Sequence, residues 1–329
     1  MREPWPPPGH EPLEGFGAGT AGGYGGRVIA VREASEAALR RALEEMNRGG
    51  HATLRLELDA PVSLRKPLPR LTASRLTIEG GGATLDGAAL PQGSAILDIR
   101  ARDVIVRDLR LRNGDDNLRI QGPQATDIVV THVSSTGARD DGISIGYGAR
   151  DVTVQYVFLA GNTRSVFCKY GGTSNVSLHH SWLQKAWARS PLFSGPVLAD
   201  VRNVIVEDWG EWGARFEQGA SGNVVASIFA LSPYAATVGG KPGAALRWVG
   251  TGRVFTAGNV FRGLATAAVP GDAEAPLPTP PVRTDPVAEM EPEVRARAGC
   301  LPRDATDAAY VERAAGWRVG PTEPLRLAP

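Results

Sequence analysis

The stretch that decides the fold is Arg102-Asp103-Val104-Ile105-Val106-Arg107. It returns with variation as Thr126-Asp127-Ile128-Val129-Val130-Thr131, as Arg150-Asp151-Val152-Thr153-Val154-Gln155 and as Ser174-Asn175-Val176-Ser177-Leu178-His179. Each copy opens with a polar residue and an Asp or Asn, then enters a run in which apolar and polar side chains alternate with the period of a half-buried strand. Two later members, Arg202-Asn203-Val204 and Gly222-Asn223-Val224, give intervals from Val104 onward of 24, 24, 24, 28 and 20 residues. Ser74-Arg75-Leu76 is a weaker member before the series, and Gly252-Arg253-Val254 follows it.

A unit of that length holds two or three short strands and their turns. It is too short for a strand-helix-strand crossover with loops, so coil stacked on coil is favoured over a doubly wound sheet. Val, Ile and Leu from successive coils then bury one continuous core. Asp and Asn before each strand are turn residues, which tolerate unusual backbone angles and bond neighbouring main chain. The reading is an all-β chain, a right-handed parallel β-helix over residues 51–263, with an antiparallel sandwich as the alternative that the three equal intervals disfavour.

Working outward, the exposed end of a solenoid needs a cover. Residues 33–50 bring Ala38, Leu39, Ala42, Leu43 and Met46 onto one helical face, with Ser35 as N-cap and Gly49-Gly50 as the stop. A capping helix is expected there, after a Gly- and Pro-rich segment over 1–32. Residues 264–329 read as a linker and an extended tail, with short helical patterns between Asp285 and Gly316. The whole is expected to be one domain.

Composition narrows the partners. The 329 residues carry 36 Lys and Arg against 35 Asp and Glu, so no overall charge draws the chain to nucleic acid or membrane. Cys168 and Cys300 form no metal-ligand pattern. No apolar run approaches a membrane span, and Met1 to Pro8 has no apolar signal core, which leaves a cytoplasmic protein or one whose signal has been removed.

Several motifs resemble the pectate lyase family, polysaccharide lyase family 1. The opening Gly15-Phe16-Gly17-Ala18-Gly19-Thr20-Ala21-Gly22-Gly23 looks like that family's start. Asn175 to Leu183, containing His179-His180, followed by Arg189-Ser190-Pro191, is similar to its His-His strand and its Arg-x-Pro signature. Asp208-Trp209-Gly210, Gly219 to Val224, and the tail from Ala298 to Asp307 are again family-like.

The resemblance implies β-elimination on a uronic acid polymer, pectate or pectin, by a secreted or periplasmic monomer. A base removes the C5 proton and the glycosidic oxygen leaves C4. Arg189 matches the family's base. Arg164 matches its carboxylate-binding cation with Lys169 close by, and Ser194 stands where many members carry a second arginine. Calcium in the family is held by clustered aspartates. Asp141, Asp140 and Asp116 are the candidates here, with Ile145 where the family often has a further aspartate. His179 and His180, as strand neighbours, are expected on opposite faces, one in the core and His180 in the groove. Trp182, Trp187, Trp209 and Trp212 surround Arg189 in sequence, and Trp187 and Trp209 are the candidates to stack on sugar rings. A polygalacturonase-like hydrolase and an inactive glycan-binding β-helix are the alternatives.

Overall fold

In the computed structural model, which describes residues 11–232, 242–263 and 271–315, the chain is a parallel β-solenoid. The proline-rich opening and parts of the linker and tail lie outside those residues. Three faces are built from strands that pair in parallel with the next coil. Val104–Arg112 and Thr126–Thr136 run unbroken round one corner and so join two faces into a 17-stranded sheet. The third face is a separate seven-stranded sheet, whose middle members are Asp116–Gln121, Asp141–Gly146, Arg164–Lys169, Leu192–Ser194 and Ala214–Glu217.

The repeat is visible as register. Val104 partners Ile128, Ile128 partners Val152, and Val152 partners Val176. All four are fully buried in one apolar column. Asp103, Asp127, Asp151 and Asn175 before them have positive φ, between 56° and 61°, the left-handed turn that their short polar side chains tolerate. Asn175 donates to the Asp151 carboxylate at 2.8 Å, one rung of the expected ladder.

Beyond Val176 the expected phase fails. Its partners in the next coils are Ala199, Gly222 and Val254, so Val204 and Val224 do not continue the column. Asn203 belongs to a second turn series with His132, Tyr156 and His180, all at positive φ. Asn223 lies inside a strand, donating to Asp200.

Helix α1 (Glu36–Gly49) begins where the Ser35 hydroxyl accepts the Ala38 N–H, and its buried residues are Ala38, Leu39, Ala42, Leu43 and Met46. The C-terminal part is more helical than a tail: α2 (Val287–Arg297) and α3 (Ala305–Ala315) follow an irregular stretch. Met290, Val294 and Ala298 bury themselves against Phe158, Trp182, Ile205 and Ile228 on the outside of the long sheet.

The Gly-rich opening is a strap laid across the coils. Phe16 N–H donates to Ser177, Gly17 N–H to Thr153, Ala21 and Gly22 N–H to Asp103, and Gly23 N–H to Thr77. Glycine is required by closeness: a Cβ on Gly23 would sit 2.0 Å from the Ala52 carbonyl oxygen, whereas one on Gly19 would meet nothing within 4 Å. Gly23→Ala is therefore expected to lower unfolding stability by about 1–3 kcal/mol in a denaturant titration, with Gly19→Ala near neutral. Equal effects of the two would contradict the close approach.

Candidate active site

The short sheet brings most of the expected site residues to one edge. Ala95 partners Asp116, Leu118 partners Ile143, Asp141 partners Arg164 and Arg164 partners Ala188, so Asp116, Asp141 and Arg164 stack in successive coils with Arg189 beside them. The Asp141 N–H donates to Asp116 Oδ1 at 3.2 Å. Carboxylate oxygens of Asp116, Asp140 and Asp141 lie within 4.8 Å of one another.

Arginines surround this acidic knot. Arg189 Nη1 donates to both Asp141 oxygens at 2.9 Å and comes within 4.0 Å of Asp140. Its guanidinium lies over the Phe167 ring, 3.9 Å from the centroid. Arg164 donates to Asp140, and Arg119 donates to Asp116 at 2.7 Å. Arg189 has a left-handed backbone, φ 58°, just before the Ser190–Pro191 turn, and its carbonyl accepts the Val166 N–H.

Burial pushes the Asp141 carboxyl up to about 7, with Asp140 and Asp116 adding repulsion that the Arg189 guanidinium only partly offsets. Asp116 is raised for the same leading reason, although Arg119 opposes it. Three carboxylates gathered this closely are the kind of oxygen donor set that a hard cation prefers.

Two departures from the family pattern read differently here. Ile145 is fully buried in the core, so a carboxylate at that position would point into apolar packing, and the outward neighbour is Ser144. Ser194 is buried with its hydroxyl unpartnered. One coil on, however, Arg215 partners Leu192, and Arg247 partners Arg215. Both guanidiniums lie over the Trp212 ring, at 4.2 and 4.9 Å. Counting one coil from Arg189 would have led to Trp212, but no motif marked Arg215 or Arg247.

The remaining candidates are scattered. Lys169 ends the strand that begins at Arg164 and sits 5.7 Å from the Tyr170 ring, away from the carboxylates. Trp187 is 36% exposed two residues before Arg189 and is available to a ligand. Trp209 is not: it is fully buried in the core, donating to the Gly243 carbonyl. His180 is likewise buried, on the long sheet beneath the C-terminal segment, and so lines no groove. The expectation that His179 and His180 face apart fails because the strand ends at His179 and His180 turns the corner at φ 47°, which brings the two Nδ1 atoms to 2.9 Å of each other.

No family model matches the sequence. Curated relatives do: a probable pectate lyase C of Emericella nidulans is 28% identical over 233 residues, 67% of this chain and 52% of the relative. One from Aspergillus terreus is 29% identical over 229 residues, 65% of this chain and 51% of the relative. The chain thus spans about half the length of the curated relatives it matches. Among solved structures, pectate lyase Bsp165PelA from Bacillus sp. N165, in complex with trigalacturonate, superposes with a TM-score of 0.68 at 14% identity, over 87% of this chain and 98% of that one. The cedar pollen allergen jun a 1 gives 0.71 at 15% identity, over 87% and 92%. In sequence and in fold, the chain is pectate lyase-like.

Proposed function

We propose that the chain cleaves a pectate- or pectin-type polyuronate by β-elimination, with Arg189 as the base. The observation that carries this reading is the meeting of Arg189 and Arg164 with Asp116, Asp140 and Asp141 on one edge of the short sheet. In the reaction Arg189, which must first lose a proton to solvent, takes the C5 proton in its neutral form, the C5–H electron pair becomes the C4–C5 double bond, and the C4–O bond breaks with the departing oxygen taking a proton from water. Arg164 is suited to hold the uronate carboxylate, since a guanidinium binds it in bidentate fashion. Calcium bound by the three aspartates would add positive charge beside that carboxylate. Trp212 with Arg215 and Arg247 extends the same face and supplies, one coil on, the guanidinium missing at Ser194. The same reading has the protein acting outside the cell as a monomer.

A hydrolase needs two carboxyl groups flanking the bond, about 5–5.5 Å apart for retention and about 6.5–9.5 Å for inversion. Here the carboxylates gather within 4.8 Å on one side, tied to arginines, which favours the lyase.

Polygalacturonate incubated with the protein and calcium at alkaline pH is expected to yield product absorbing in the ultraviolet. Arg189→Ala should reduce that rate about 10²- to 10⁴-fold while the fold persists. Reducing ends without ultraviolet absorbance would overturn the lyase, and an unaffected Arg189→Ala rate would remove the base. Arg215→Ala is expected to raise KM several-fold with kcat little changed, as loss of uniform binding does; a fall in kcat alone would contradict a binding role.

Asp141 makes the pH dependence specific. Its folded pKa of about 7 lies above the ordinary value of 3.8, so its contribution to stability is complete below about 4 and is lost as pH rises through 7. The thermal midpoint of the calcium-free wild-type protein, taken relative to that of Asp141→Asn, should therefore fall between pH 4 and pH 7. A carboxyl resonance for Asp141 titrating below pH 5 would contradict the repulsion described.

A further inference from the structure

On the opposite side of the solenoid, Glu14 of the strap, His179 and His180 bring one carboxylate oxygen and two ring nitrogens within 4.8 Å of one another. Neither histidine belongs to the acidic edge described above. His179 is 1% and His180 0% exposed. Two nitrogen lone pairs cannot face each other at 2.9 Å unless something positive lies between them, either a proton or a metal ion. Nε2 of His179, at the other edge of its ring, is buried with no side-chain partner.

We infer that Glu14, His179 and His180 form a three-ligand zinc site that pins the strap to the coil ending at His179. Two imidazoles and a carboxylate are a zinc donor set, and calcium, which prefers oxygen throughout, is disfavoured there.

The outer contacts fit the same assignment. With Nδ1 of His180 as ligand, its Nε2–H donates to Asp285 Oδ2 at 3.3 Å, the carboxylate contact that orients ligating histidines. Asp285 in turn is fixed by Asn203, which donates to its carbonyl and accepts its N–H. Arg283 lies 3.4 Å from His180 Nε2, and its charge is met by Asp285 at 3.1 Å and Glu293 at 2.5 Å. Arg202, in register with His179, is paired with Asp200 at 2.7 Å. The Glu14 carboxylate also accepts the Arg283 N–H at 3.0 Å, so a metal here would couple the strap, one coil and the C-terminal segment.

The test uses the full chain stripped with chelator, then dialysed against Zn²⁺ with excess Ca²⁺ and assayed for bound zinc. One zinc per chain is expected, with a raised thermal midpoint. Glu14→Gln and His179→Gln should each weaken zinc binding tenfold or more, while Asp141→Asn and Arg189→Ala leave it unchanged. Glu14 lies outside the coils, so Glu14→Gln tests the site without disturbing the core, and circular dichroism of the metal-free variant verifies this. No retained zinc would mean that a shared proton alone joins the histidines, and would overturn the site. So would zinc retained equally by both ligand variants, or zinc lost in Asp141→Asn. None of these outcomes bears on the lyase.

Discussion

Everything in this molecule hangs on parallel strands stacking in register, because that stacking fixes which residues become neighbours. A strand partner lies about 4.8 Å away, so a residue one coil along is closer than most residues near it in sequence. Val104, Ile128, Val152 and Val176 form a core column for that reason. By the same rule Asp116, Asp141 and Arg164 become an acidic and basic knot, although they are dispersed over some fifty residues of chain.

The knot shows how packing creates chemistry. Isolated surface aspartates would ionise freely, but stacked and buried ones compete for charge. Of the arginines that answer them, Arg119 comes from the strand of Asp116 itself, and Arg164 and Arg189 come from the two coils after Asp141. The outer face of the sheet is therefore not a patch of polar residues but an ordered series of cations and anions with Phe167 beneath it.

Much of this was legible in the sequence where the coils have equal length. Asp and Asn at the turn positions betray the left-handed residues, and three intervals of 24 give the stack and the core face, but on the short sheet Asp141 rather than Asp140 stands in line with Asp116 and Arg164. The reading slips where coil length changes: Asn203 has the right chemistry but occupies a different turn, so Val204 is out of phase. It slips again at His180, because alternation holds only within a strand and His180 lies in the corner. Trp209 was ambiguous by nature, since a ring that can stack on a sugar can equally fill a core. Arg215 and Arg247 carried no motif and emerge only from register.

The strap changes how such a stack should come apart. A solenoid whose coils touch only their neighbours behaves as a one-dimensional array, free to fray from either end. Here the segment from Phe16 to Gly23 bonds to Ser177, Thr153, Asp103 and Thr77 in turn, running back along the axis over several coils. The C-terminal segment crosses it, with the Gly15 N–H on the Pro281 carbonyl and Arg297 paired with Glu11. An end coil cannot peel away without tearing a band that also holds the middle, so the strapped coils are bound into a single cooperative unit.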